Sequence, residues 1–202
     1  VTLSAKGTRL NRRGLETRRN LLKVAIRCLA EGGPEAASAN LIAQRAGVTW
    51  GTVQHQFGDV DGLWAAVFGY ISEHGGPLIP TPGPPTLAEL VPAIVENLWS
   101  ALDAPGSRAI ESLRHALPRH REELESEFPL TAAALAAWDV NWTHACKTAF
   151  ENLDVDDAKL QRIRALLPGA MRGLHGERHL STYTDLDEAR RGLSEAIIAY
   201  LS

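Results

Sequence analysis

With only two cysteines in 202 residues, Cys28 and Cys146, the chain has no disulfide-stapled framework, and their isolation gives no metal-ligand spacing. Each sits inside an apolar helical pattern, the usage expected of a reducing cytoplasm. There is no basic leader followed by an apolar stretch, and no apolar run approaches the roughly 20 residues of a membrane span. A cytoplasmic location without membrane contact is expected. No stretch alternates apolar and polar residues for long enough to build a sheet. Absent too are a G-x-S-x-G turn, a phosphate-cradling glycine loop, a Cys/His nucleophile pair with an orienting group, and a metal-ligand cluster. The adjacent Glu122 and Glu123 read as a solvated helix face. No enzyme activity and no cofactor are expected.

What is present is a helical chain with a divided charge. Apolar residues make up 45% and charged residues 22%, enough to bury a core. The formal net charge is −3, but residues 1–27 hold eight Lys or Arg against the single acid Glu16, a balance of +7. Residues 76–202 hold 12 basic and 18 acidic side chains, a balance of −6. A basic end on an acidic body implies that only the N-terminal part meets a polyanion.

The periodicity predicts a first helix from Thr17, with Leu21, Leu22, Ala25, Ile26 and Leu29 on one face and an exit at Gly32-Gly33-Pro34. Ser38, Thr49 and Asp59 are candidate caps for a second helix, a third running to about Gln56, and a fourth that buries Leu63, Val67, Phe68 and Ile71. Residues 75–85, GGPLIPTPGPP, carry five prolines and three glycines and read as a linker. The expected division is therefore 1–74, a linker at 75–85, and a second domain over 86–202. Further helices are predicted at 86–103, 107–117, 121–151, 156–177 and 185–201, with Pro92, Pro118, Pro129 and Pro168 each starting, bending or stopping one. The fold class is all-α.

Two short helices joined by a tight glycine turn can project the second into the DNA major groove. The stretch ASANLIAQRAGVTWGTVQHQF has the parts: Leu41, Ile42, Val48 and Val53 to lock the pair, Gly47 to reverse the chain, and a polar second helix. The order of features is more specific. Residues 17–68 include a helix ending in Ala-Glu-Gly-Gly, the segment Ile42-Ala43-Gln44-Arg45-Ala46-Gly47-Val48, the step Gly51-Thr52-Val53, and Phe57 followed by a helix opening before Leu63. This run resembles the N-terminal domain of the TetR family of one-component regulators.

The resemblance implies an all-helical homodimer with a three-helix DNA-binding head and a larger ligand-binding and dimerisation body. Its partners would be a double-stranded palindromic operator and an unidentified small-molecule effector, and the expected role is that of a repressor released by that effector. By the same resemblance the dimer interface falls on 156–177 and 185–201. Two positions depart from the family pattern: Gln54 stands where an aromatic is common, and Val60 where a Lys that binds phosphate is common. Backbone affinity would then lean on the basic arm. The alternative reading is a helical enzyme or interaction protein with no sequence-specific DNA binding; it leaves the +7 segment beside the helix-turn-helix unexplained.

Thr49 can cap the recognition helix and bind phosphate, or cap it alone. Trp50 either packs on a thymine methyl or sugar edge, or on its own domain. Gly51 lets the backbone approach DNA, and Thr52 faces the same side as Gln56. Gln54 and His55 are the candidate base or phosphate readers, or else solvated side chains. Ser38 and Asn40 are phosphate candidates, with simple capping the alternative for Ser38. Arg9, Arg12 and Arg13 form either an arm along the backbone or minor groove, or a disordered basic tail. In the body, Trp99, Trp138 and Trp142, with Phe128, Phe150, His115, His144, Asn141 and Met171, either line a pocket for an apolar or aromatic effector or are core aromatics with polar neighbours. His175 and His179 have the four-residue spacing of a metal pair, but Gly173, Gly176 and the lack of a third ligand argue against one, and no metal is expected.

Overall fold

Asn11 sets where helix formation begins. In the computed structural model, which describes residues 3–80, 86–178 and 183–202, its side chain accepts from the Gly14 amide at 2.9 Å and opens α1, Arg12–Gly32. The helix therefore starts five residues before the expected Thr17. A polar Asn-Arg-Arg-Gly run carries no apolar period, so only its capping chemistry marks the start. The buried face is Leu21, Leu22, Ala25, Cys28 and Leu29. Gly33, at φ +66°, ends the helix in a conformation that side chains with a Cβ rarely adopt. One 3-10 turn, Pro34–Ala36, follows.

Ser38 accepts from the Leu41 amide at 3.3 Å and opens α2, Ala39–Arg45. Gly47, at φ +68°, reverses the chain, and α3 runs Trp50–Phe57 behind its Thr49 cap. Asp59 accepts from Gly62 at 2.9 Å and opens α4, Val60–His74, which buries Leu63, Trp64, Val67 and Phe68. All three caps expected from the sequence are present.

Chain contacts divide the described residues into two compact units, 1–75 with 105–139 and 76–104 with 140–202. The first unit is larger than a boundary at 75–85 suggests, and residues 81–85 of that expected linker lie outside the described residues. It takes in α6, Pro105–Ala116, whose Ala109 and Leu113, with Leu117 just beyond, join the core built by α1 and α4. Ser112 donates to the Leu29 carbonyl at 2.8 Å, and a Cβ on Gly106 would lie 2.9 Å from the Ile71 side chain. The single helix expected over 121–151 is two, α7 at Arg121–Glu127 and α8 at Pro129–Phe150. Phe128 adopts a non-helical φ/ψ of −133°/60° because the ring of Pro129 excludes the helical region for the residue before it. Asp61 of α4 then caps α8, accepting from the Leu130 and Thr131 amides at 2.8 Å each.

The second unit contains α5, Leu87–Leu102, the residues of α8 from Val140 onward, α9, Asp157–Glu177, and α10, Leu186–Leu201. Its core runs through Leu90, Val91, Ile94, Val95 and Trp99 of α5 to Leu160, Ile163, Leu167 and Met171 of α9 and Ile197 and Leu201 of α10. Asp156 and Asp185 cap the last two helices, accepting from Lys159 at 2.8 Å and from Asp187 and Glu188 at 3.0 and 3.1 Å. Among the described residues no helix is long and apolar enough to cross a membrane.

Candidate nucleic-acid interface

The two faces of α3 differ sharply. Val53, Gln56 and Phe57 are buried inward, whereas Thr49, Gly51, Gln54 and His55 are exposed. Thr49 Oγ accepts from the Thr52 amide at 3.3 Å and lies 3.1 Å from the Thr52 hydroxyl, so both hydroxyls cluster at the helix start. Thr52 is half-buried. Trp50 is also half-buried and packs on the core of its own unit. On α2, Asn40 is exposed while Ser38 is half-buried in its cap. The structure thus brings Thr49, Gly51, Gln54 and His55 together on one helix, with Asn40 on the preceding one.

The basic segment is folded. Ser4 donates its amide to the Thr8 carbonyl at 2.8 Å and accepts from the Thr8 amide at 3.2 Å through its hydroxyl, closing a turn. Leu3 bridges to Arg9, Ser4 and Leu10 are buried, and the Ala5 amide donates to the His55 carbonyl at 3.2 Å. Of the three expected arm arginines, Arg9 lies in this folded segment and Arg12 and Arg13 lie in the first turn of α1; all three are exposed. Arg12 pairs with Glu16 at 3.2 Å across one turn of the surface. Arg9, Arg12 and Arg19 line an open groove with Leu10, Asn11, Leu15 and Glu16.

Two polar residues that sequence reasoning passed over tie these pieces together. Arg18 donates to the Gln56 carbonyl and lies 4.3 Å from the centre of the Phe57 ring. Gln56 is 4% exposed and donates through Nε2 to the Gly14 carbonyl at 3.3 Å. Burial lowers the pKa of the Arg18 guanidinium. The signal was available: Arg18 falls on the stripe 18, 21, 22, 25, 29 of α1, and Gln56 is three residues beyond the buried Val53.

Residues 21–67 match the family model for bacterial regulatory proteins of the tetR family. The stretch from α1 to α4 is thus similar to the head of that family. The chain is 27% identical over 121 residues to the HTH-type transcriptional regulator BetI of Burkholderia thailandensis, across 60% of this chain and 52% of that protein. The chain thus spans about half the length of the curated relatives it matches. Two solved structures share the fold over more of it. One is the multidrug binding protein EbrR complexed with imidazole (TM-score 0.66, 20% identity, covering 99% of this chain and 98% of that one). The other is a tetR-family transcriptional regulator from Streptomyces coelicolor (TM-score 0.66, 19% identity, covering 92% and 80%).

Within the stretch from α1 to α4 the two departures from the family pattern have different surroundings. Gln54 is exposed on α3, whereas Val60 is half-buried at the start of α4 against the apolar core. The expected pocket residues divide between the units. In the second, Trp99 and Met171 are buried in one core, and Trp142 packs against it, donating Nε1 to the Arg164 carbonyl at 3.0 Å. Trp142 also lines a cavity of about 20 Å³ with Val91, Ile94, Cys146, Phe150, Leu160, Ile163, Arg164, Leu167 and Ile197. Burial pushes the Cys146 thiol up to about 12. Asn141 and His144 are exposed on α8. In the first unit His115 is exposed, Phe128 is half-buried, and Trp138 meets Phe68 edge to face at 6.0 Å. His175 is buried with Nε2 3.1 Å from Asp103, and Arg178 reaches the same carboxylate at 2.8 and 2.9 Å. Hydrogen bonds from Arg178 and then His175 hold the Asp103 carboxyl below its ordinary range. His179 lies outside the described residues.

Proposed function

We propose that this chain is a DNA-binding transcriptional regulator, a repressor that holds a palindromic operator as a homodimer and is released by a small molecule. One observation carries the reading: the exposed face of α3, with Thr49, Gly51, Gln54 and His55, belongs to the same unit as the exposed Arg9, Arg12 and Arg13. Gln can take adenine in a bidentate manner and His can donate to phosphate. Arg12 and Arg13 occupy the first turn of α1, which has no acidic residue; Arg12 is offset in part by Glu16, and the charge of Arg13 repeats that of the helix N-terminus. That arrangement costs about 0.3–1 kcal/mol per residue without an anion and becomes favourable beside phosphate.

The body supplies the remaining parts. Leu166 of α9 and Tyr200 of α10 are large exposed apolar residues, and Gly169, Gly173 and Gly192 have open space where a Cβ would stand. A second copy packing on α9 and α10 would cover them, and a dimer on a palindrome meets half-sites about 34–36 Å apart. The apolar cavity beside Trp142 has room for little more than one water at about 20 Å³, so an apolar or aromatic effector there must favour an opened form of the second unit. Its effect on operator affinity is bounded by its preference for that form. The resemblance to BetI, described as a transcriptional regulator, and to EbrR, described as a multidrug binding protein, supports this division of labour.

The test is selection of bound fragments from the source genome by purified protein. An enriched palindrome, bound by a dimer, is the expected outcome. Equal recovery of unrelated fragments at moderate salt would contradict the reading.

A further inference from the structure

We propose that Arg18 and the folded N-terminal arm are positioning elements that clamp the C-terminal end of α3, and that base discrimination depends on them although neither reads a base. The inference rests on the reading of α3 as the DNA-contacting helix and adds residues and a role that the reading does not need.

A two-turn helix has little stability of its own, since nucleation is costly and few bonds repay it. Its last carbonyls also have no partner within the helix. In α3 the last helical bond is followed by two carbonyls that are taken by distant parts of the chain. The Gln54 carbonyl accepts from the Gly58 amide at 2.8 Å, in the turn that follows. The His55 carbonyl accepts from the Ala5 amide at 3.2 Å, in the arm. The Gln56 carbonyl accepts from the Arg18 guanidinium, on α1, which also stacks on the next side chain, Phe57. The buried Gln56 side chain returns a bond to the Gly14 carbonyl. A cation at this end also favours the helix dipole.

The residues so fixed are adjacent to the proposed readers: one clamped carbonyl belongs to His55 itself, and Gln54 directly precedes it. Bidentate base contacts tolerate errors of only about 0.5 Å and 10–20°. Phosphate contacts from long exposed arginines tolerate far more. Loosening the clamp should therefore erode specificity before it erodes general DNA affinity.

The experiment uses the full chain and two duplexes of equal length, one recovered by wild-type selection from random-sequence DNA and one of random sequence. Binding is measured across a salt series, with helicity and thermal midpoint recorded for every variant. Arg18→Gln should weaken binding to the selected duplex roughly 10- to 100-fold, the discrimination carried by about one base-reading pair. Binding to the random duplex and the salt slope should stay unchanged. Arg18→Lys, which keeps a donor for the Gln56 carbonyl, should recover most of the loss. Ala5→Pro removes the amide donor to His55 while keeping every charge, and should repeat the Arg18→Gln pattern; if Arg18→Gln fails to fold, Ala5→Pro decides.

Equal loss on both duplexes with the salt slope smaller by about 0.9 would make Arg18 a phosphate ligand and overturn the proposal. So would unchanged discrimination in folded variants. A wild-type chain that selects no sequence at all would instead overturn the underlying reading of α3.

Discussion

Removing the Asp61 carboxylate should detach the start of α8 from α4. Its two oxygens each accept a backbone amide at 2.8 Å, from Leu130 and Thr131, and Asp61 is 8% exposed. A hydrogen bond to a charged acceptor contributes about 1.5–3 kcal/mol, and losing a helix cap costs about 1 kcal/mol on its own. Leu130 lies at the surface, 54% exposed, where its amide is the more open of the two to water, whereas Thr131 is 0% exposed. Asp61→Ala therefore leaves one orphaned buried donor and one that water rescues, a total near 3 kcal/mol. Asp61→Asn keeps one carbonyl acceptor and turns an amide N–H toward the other donor, so its cost should be about half as large. For a chain of this length 3 kcal/mol corresponds to a fall in Tm of about 9 °C, and to roughly 100-fold faster exchange of the Thr131 amide if that amide exchanges by the opening that the cap opposes. Thermal unfolding followed by circular dichroism, with amide exchange at Thr131, reads both. A fall of less than about 2 °C with Thr131 protection unchanged would refute the reasoning.

Three further outcomes follow from the geometry. A Cβ on Gly62 would stand 2.0 Å from the Phe57 carbonyl oxygen, whereas one on Gly69 of the same helix meets nothing within 4 Å. Gly62→Ala should cost at least about 2 kcal/mol in urea unfolding and Gly69→Ala should stabilise by up to about 1 kcal/mol, and equal effects would contradict the packing of α3 against α4. With its pKa raised to about 12, Cys146 has a thiolate fraction near 10⁻⁴ at pH 8, so iodoacetamide should label it in native protein orders of magnitude more slowly than in urea. Rapid native labelling at Cys146, mapped by mass spectrometry, would show the second unit to be open. Changing Arg12 and Arg13 together to Gln should lower the salt slope of DNA binding by about 0.9 for each phosphate that the pair neutralises, and an unchanged slope would remove them from the interface.

Local chemistry was legible in the sequence, and long-range partnership was not. The caps at Ser38, Thr49 and Asp59 and the turn at Gly47 follow from short-range rules and are where those rules put them, and the inward face of α1 matches except that Cys28 is buried while Ile26 is half-buried. The Asn11 cap is harder to see because it precedes the apolar period that marks the rest of α1. Pro129 marks a break, but nothing near it says that Asp61, nearly seventy residues earlier in the chain, caps the helix it opens. Trp138 and Trp142 share a helix face by spacing, yet the first meets Phe68 in one unit and the second packs on the core of the other. Periodicity says which face is apolar, never what covers it. The same limit hid Arg18 and Gln56, polar residues on apolar stripes whose partners lie about forty residues away in sequence.

The central claim is that the exposed face of α3 reads DNA sequence, and a ratio of affinities tests it most directly. Purified wild-type chain should bind its selected palindrome at least about 10³-fold more tightly than a scrambled duplex of the same composition at physiological salt. Thr49→Ala, Gln54→Ala and His55→Ala should each reduce that ratio. Equal affinity for the two duplexes, or a ratio indifferent to all three substitutions, would contradict the account.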